Sequence, residues 1–151
     1  MHRPSARRAL AILVLGAAAL VAACSPASTS PSSGTPSASA AADSLQALPA
    51  EVSTAEALAL RESGAFILDV RQPDEWASGH IPDATLIPLG DLASRIAEVP
   101  KDRQVVVVCR SGNRSAQGRD ILLGAGYPSA TSMAGGMKDW AAAGYPTTTG
   151  S

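Results

Sequence analysis

Apolar and polar residues alternate along this chain in three distinct regimes. From Ala9 to Ala23 all fifteen positions are apolar or glycine. From Ser25 to Ser44 there is no apolar period, only Ser, Thr, Pro and Ala with one Gly and one Asp. From Leu45 to Thr147 short apolar runs alternate with helix-like patterns. "STAEALALRESG" (53–64) carries a capping box, with Ser53 as N-cap, Glu56 three residues on and Gly64 as the stop. "FILDV" (66–70) predicts a short strand, "PDEWASG" (73–79) one or two helical turns, and "ATLIPL" (84–89) an extended segment. "DLASRIAEV" (91–99) has an amphipathic period and predicts a helix ended by Pro100. "QVVVVC" (104–109) is β-branched and apolar on both faces, as in a buried parallel strand. "SAQGRDILLGAG" (115–126) predicts a helix in spite of Gly118, "SATSM" (129–133) a weak strand, and "GGMKDWAAAG" (135–144) a closing helix.

Strands that alternate with helices predict an α/β sandwich, with a mostly parallel central sheet flanked by helices. No internal repeat interrupts that order. The composition is 46% hydrophobic but only 3% aromatic, so Val, Ile, Leu and Ala must build the core.

Charge is distributed unevenly. Arg3, Arg7 and Arg8 precede the first acid, Asp43. Without residues 1–23, the 12 basic residues fall to 9 against 13 acidic ones, a net charge of −4. That balance argues against a nucleic-acid binder, which would carry a basic face. The basic start and the apolar run fit a signal peptide; the run is short for a membrane span, which needs about 18–20 residues. "LVAAC", ending at Cys24, resembles a bacterial lipobox. That resemblance implies cleavage before Cys24, lipid on its sulfur and acylation of the new N-terminus. The expected organisation is a signal peptide (1–23), a lipidated, disordered Ser/Thr/Pro/Ala-rich tether (24–44), a folded domain (45–147) and a tail (148–151). The tether cannot bury enough surface to offset its chain entropy. The expected location is the extracytoplasmic face of a bacterial membrane, held by multiple acyl chains.

Cys24 and Cys109 are the two cysteines. With Cys24 lipidated, Cys109 has no internal partner, and a lone exported cysteine is a candidate reactive group. Cys109 ends the most buried predicted strand, where ligands bind in parallel α/β sheets. Arg110, Ser111, Gly112, Asn113 and Arg114 follow, and then a helix begins near Ser115. Such a loop aims backbone N–H groups and a helix dipole at one point, which suits an anion. Gly112 accepts positive φ freely. The two arginines add charge. All of this favours thiolate over thiol and predicts a lowered pKa and a nucleophilic sulfur. The plainer reading is a buried structural cysteine.

"CRSGNRS" (109–115) resembles the active-site loop of the rhodanese family of sulfurtransferases. "LDVRQPDEWASGHIPDATLIPL" (68–89) and "AGGMKDWAAAG" (134–144) resemble that family's N-terminal and C-terminal signatures. The similarity spans about residues 50–147. It implies a three-layer sandwich in which Cys109 takes a sulfane sulfur as a persulfide, and in which the amides of Arg110 to Arg114 wrap the outer sulfur. It also implies a small donor such as thiosulfate, a thiol or cyanide acceptor, and no metal or organic cofactor. A monomer is expected. Asp83 stands where the family commonly has Gly, and Gly118 where Ala is more usual.

Asp69 and Arg71 match the family's strand-end pair, read here as a structural salt bridge or loop clamp and alternatively as a substrate contact. His80 is read as loop packing, with a general base as the alternative. Trp76 and Trp140 are read as packing anchors, and Asp74 and Glu75 as helix N-terminal acids. Two other functions fit a Cys–Arg loop: a non-enzymatic sulfur carrier or sensor, and a cysteine phosphatase. The related phosphatases place five residues between Cys and Arg. Here four stand between Cys109 and Arg114, a tighter cradle better suited to one sulfur atom.

Overall fold

A computed structural model describes residues 45–150. The expected signal peptide, the tether and Cys24 lie outside the described residues.

The run Val105–Val108 forms β4, and it is the middle of the sheet. Five strands lie in the order β1-β5-β4-β2-β3, where β1 is Glu51–Val52, β2 is Phe66–Asp69, β3 is Thr85–Leu86 and β5 is Ala130–Met133. Every neighbouring pair is parallel, with Phe66 opposite Val105 and Val105 opposite Ala130. Three helices connect strands, α1 (Thr54–Glu62), α2 (Pro73–Ala77) and α3 (Asn113–Gly124), and α4 (Gly136–Ala142) follows β5.

The alternation of β4 divides the core into two. Val105, Val107 and Cys109 face one side with Leu68, Val70 and Leu122 of α3. Val106 and Val108 face the other with Ile67, Ala57 of α1, and Met137 and Trp140 of α4. A strand buried on both faces has no use for polar alternation, which is why four valines stand in a row. The result is the expected three-layer sandwich. Gly118 lets α3 lie close on the sheet: a Cβ there would sit 3.0 Å from Val107 Cγ1 and 3.3 Å from Val70 Cγ1.

The local signals around α1 hold at atomic level. Ser53 Oγ accepts from the Glu56 amide, and the Glu56 carboxylate accepts from the Ser53 amide at 2.8 Å. Trp140 is fully buried, donates from Nε1 to the Pro146 carbonyl at 2.9 Å and packs edge-on to Tyr145.

Three elements differ from the sequence reading. Residues 91–99 are not an α-helix but a series of turns ending in a 3₁₀ turn at Ile96–Glu98. Most of their bonded amides reach three residues back, as in Ser94 to Asp91 and Glu98 to Arg95, and a single α-type bond, Arg95 to Asp91, is not continued. Ser94 Oγ also donates to the Asp91 carbonyl at 2.8 Å, and Pro100 holds Val99 extended. Leu92 and Val99 still reach the core from these turns. The apolar period therefore recorded anchors and not a helix. Helix α3 starts at Asn113, two residues before the expected point, with Gly112 as N-cap. Strand β1 was not foreseen; two residues carry too little pattern, and pairing with Ser132 and Met133 defines it. At the other end, Thr148 pairs with His80 and Gly150 donates to the Ala77 carbonyl, so ordered contacts continue into the expected tail.

Candidate active site

Cys109 follows the last residue of β4, at the carboxyl end of the central strand, and is 1% exposed. The chain then turns through Arg110, Ser111 and Gly112 directly into α3. Gly112 sits at φ +101°, a conformation costly for any residue with a Cβ. That turn swings the Gly112 amide back onto the sulfur, N to Sγ 3.1 Å. Asn113 and Arg114 belong to the first turn of α3, whose amides have no helical partner. Ser115 is fully buried beneath the sulfur, Oγ to Sγ 3.5 Å.

The cradle is backed from α4. Gly136 lies against the loop backbone so closely that a Cβ on it would stand 2.3 Å from the Cys109 carbonyl oxygen. The Met137 amide donates to that oxygen at 2.8 Å, and the Lys138 amide donates to the Arg110 carbonyl at 3.1 Å. The start of α4 thus takes up the loop's carbonyls and leaves its amides free to face the sulfur. The Gly135–Gly136 pair was legible as part of a signature, but this duty was not.

Two opposing effects set the charge state of Cys109. Burial pushes the thiol pKa up. Hydrogen bonds from the Ser115 hydroxyl and from the amides of Ser111, Ser115 and Gly112 push it down, and their sum wins: the pKa lies below its ordinary value. The direction agrees with the sequence expectation, but its cause differs. The cradle lowers the pKa; of the two loop arginines, Arg114 is paired with Glu75 and Arg110 is exposed.

Arg114 forms a two-pronged pair with Glu75 of α2, at 2.7 Å in both contacts. Hydrogen bonding from Arg114 outweighs burial and holds the Glu75 carboxyl at about 2. Glu75 also accepts from the Gln72 amide. Arg71 is fully committed as well. It grips Asp69 at 2.7–3.0 Å and donates to the Glu75 and Gly79 carbonyls, which makes the buried pair a loop clamp. Arg110 is exposed and forms no ion pair among the described residues. Beside the loop, Arg71, Glu75, Ser78 and Arg110 line a cavity of about 240 Å³. A larger cavity, about 350 Å³, opens near Phe66, at the opposite end of the strands. Its arginines, Arg61 and Arg103, are spent on Asp83 and on the Pro82 and Gly64 carbonyls.

His80 stacks on Trp76 with ring centroids 3.5 Å apart, and its Nδ1 lies 3.0 Å from the Trp76 carbonyl oxygen. That is a packing arrangement, in line with the plainer reading of His80. Glu75 and Ser132 are the site residues that the sequence did not point to. Ser132 belongs to β5, and its Oγ lies 2.9 Å from Ser115 Oγ. Among the described residues, no cluster of His, Cys, Asp and Glu suits a metal ion.

Comparison with known proteins places this geometry in a family. Residues 53–143 match the rhodanese-like domain. A sulfurtransferase from Allochromatium vinosum is 43% identical over 81 residues, which covers 54% of this chain and 76% of that protein. The thiosulfate sulfurtransferase GlpE of Pseudomonas syringae is 40% identical over 85 residues, covering 56% of this chain and 80% of its own. Among solved structures, a rhodanese-related protein from Thermoplasma volcanium superimposes with a TM-score of 0.61 at 28% identity, over 66% of this chain and 98% of that one. The matched span contains the whole loop from Cys109 to Ser115 and both segments that support it, α2 and α4, and on that ground the chain belongs to the rhodanese family of sulfurtransferases.

Proposed function

We propose that Cys109 carries sulfur as a persulfide, taking it from thiosulfate or a similar small anionic donor and passing it to a thiophilic acceptor. One observation carries this reading: Sγ lies at the focus of the loop amides, with the Gly112 N–H at 3.1 Å. The Cys109 thiolate attacks the outer sulfur of thiosulfate. A Cys–S bond to that sulfur forms, the donor's S–S bond breaks, and sulfite departs with the electron pair. The outer sulfur of the persulfide now bears the negative charge. Amides and a helix start stabilise an anion at that place without a cation, as oxyanion donors do. A thiolate or cyanide then bonds to the outer sulfur, and the electron pair returns to Cys109 Sγ. No proton transfer is needed in either half, so no catalytic base is required. Arg110 supplies attraction for the dianionic donor. Ser111 and Asn113 are exposed at the mouth and contribute backbone.

The test is intact mass after incubation with thiosulfate. A one-sulfur increment on Cys109, removed by cyanide and absent in Cys109→Ser, is the expected result. Efficient hydrolysis of an aryl phosphate without any sulfur adduct would favour phosphate chemistry instead.

We further propose that Cys24 is lipidated and that residues 25–44 tether the domain to the extracytoplasmic face of a membrane. The lipobox-like "LVAAC" after a short apolar run supports this. Cys24→Ser should move the protein from the membrane fraction to the soluble one, or leave it unprocessed. A mature N-terminus elsewhere than Cys24, in a soluble protein, overturns it.

A further inference from the structure

Ser132 is fully buried in β5, twenty-three residues from Cys109 in sequence, and nothing in the loop motif points to it. Its hydroxyl has one hydrogen-bond partner among the described residues, Ser115 Oγ at 2.9 Å. Ser115 Oγ in turn lies 2.7 Å from the Gly112 carbonyl oxygen and 3.5 Å from Cys109 Sγ. A hydroxyl has one proton to give and two lone pairs to receive with. If Ser115 gave its proton to Ser132, the Ser132 proton would be buried with no acceptor. That fault vanishes when Ser132 donates to Ser115, and the Gly112 carbonyl holds the Ala116 amide at 3.0 Å whichever way the Ser115 proton points.

That direction leaves the Ser115 proton two destinations. While the sulfur is a thiol, S–H donates to Ser115 and Ser115 donates to the Gly112 carbonyl. When the sulfur is a thiolate, rotation of one hydroxyl aims the same proton at Sγ. A hydroxyl that is itself accepting a hydrogen bond is a stronger donor.

We propose that Ser132 is a positioning residue for sulfur transfer: by donating to Ser115 it keeps the Ser115 proton available to Cys109 Sγ whenever that sulfur carries charge. The role in transfer rests on the reading that Cys109 carries the sulfur. Loading moves the charge from Sγ to the outer sulfur, and the Ser115 proton returns to the carbonyl. Discharge breaks the S–S bond and returns the electron pair to Sγ, and the proton turns back to meet it. A better-stabilised thiolate is a better leaving group. The relay therefore favours the discharge half of the cycle.

The experiment uses the full chain in four forms: wild type, Ser132→Ala, Ser115→Ala and the double variant. The rate of Cys109 alkylation by iodoacetamide is followed against pH through the peptide that bears Cys109. Ser132→Ala should raise the midpoint by about 0.5 unit, roughly threefold less thiolate below it, the scale of part of one hydrogen bond. In the Ser115→Ala background the same change should produce no further shift, because its path to the sulfur is gone. The surrounding charges are identical in all four forms: Arg110, the Arg114–Glu75 and Arg71–Asp69 pairs, Glu51 of β1, and Lys138 and Asp139 of α4. Thermal melting of each form separates packing from ionisation. An unchanged midpoint in Ser132→Ala, whatever its melting temperature, overturns the proposal, as does an equal shift that persists without Ser115. Discharge of the preloaded persulfide by cyanide should also slow about threefold in Ser132→Ala. Alkylation needs no sulfur donor. A shift that follows the expected pattern in a protein that never takes sulfur would uphold the relay and overturn the transfer reading.

Discussion

Arg114 and Glu75 face each other through two parallel contacts, Nη1 to Oε2 and Nη2 to Oε1, both 2.7 Å long. The pair ties the first turn of α3 to α2, across thirty-nine residues of sequence. It also neutralises the second arginine of the loop. Arg110 and Arg114 look alike in the sequence, and the fold gives them different work.

The first prediction follows from the sign of the Glu75 shift. Its folded-state pKa of about 2 lies below the ordinary carboxyl value of about 4.3, so the pair stabilises the protein above that ordinary value. The contribution drains away as pH falls from about 4.3 toward 2. Glu75→Gln should cost about 1–2 kcal/mol at pH 7, given the partial exposure of both groups, and much less at pH 2. Urea unfolding at several pH values measures it. Equal loss at both ends of the range would remove the ion pair from the account.

Gly136→Ala should be among the most damaging single changes around the site, where Gly136 is buried against the loop. A Cβ there would overlap the Cys109 carbonyl, Arg110 C and Ser111 N, and the residue sits at φ +60°. These neighbours are backbone atoms of the cradle and cannot rotate away. A loss of about 2–4 kcal/mol is expected, from strain and overpacking together. Alkylation of Cys109 should lose its low midpoint in the same variant. A stable variant with wild-type alkylation would mean that α4 does not hold the loop.

Much of this was legible because it is local. Four valines can only be a strand buried on both faces, and Ser53 with Glu56 states where α1 begins. The loop could be read because Cys, Gly and Arg stood in one short run. What escaped the sequence depends on elements far apart in it. Glu75 looked like a helix N-terminal acid, which it is, but its partner lies thirty-nine residues on. Ser132 is one small polar residue in a strand, and only the pairing of β5 with β4 brings it under Ser115. The helix expected at 91–99 failed for the opposite reason. Its apolar spacing was real, yet Leu92 and Val99 are anchors of a turn that Pro100 keeps short.

Asp83 offers a test in the other direction. It is the one residue other than glycine with positive φ among those described, at +64°. Glycine adopts that left-handed conformation without the cost a Cβ brings. The side chain is 91% exposed and pairs with Arg61 at 3.0 Å, a contact of little worth in water. Asp83→Gly should therefore raise stability slightly, by up to about 1 kcal/mol, as the relieved backbone strain outweighs the added chain entropy. A lower melting temperature would show that the Arg61 contact matters more than the strain.

The last prediction separates the two loop arginines. Arg110 is exposed and unpaired among the described residues, so its charge is free to draw in a dianion. Arg110→Ala should raise KM for thiosulfate about tenfold at low salt, the equivalent of about 1.4 kcal/mol, and leave stability unchanged. Added salt should narrow the gap between the variant and wild type, because exposed charges are screened. Arg114→Ala should behave otherwise. It strands the Glu75 carboxylate beside the loop, costs about 2 kcal/mol of stability and lowers kcat, because the first turn of α3 loses its tie to α2. Removing the stranded charge as well, in Glu75→Gln with Arg114→Ala, should restore part of both losses, since the two residues act as one unit. Steady-state kinetics with thiosulfate and cyanide, beside thermal melts of the four proteins, tell the cases apart. If Arg114→Ala changed only KM and Arg110→Ala changed nothing, Arg114 would be the counter-ion of the donor, and the pair with Glu75 would open during the reaction.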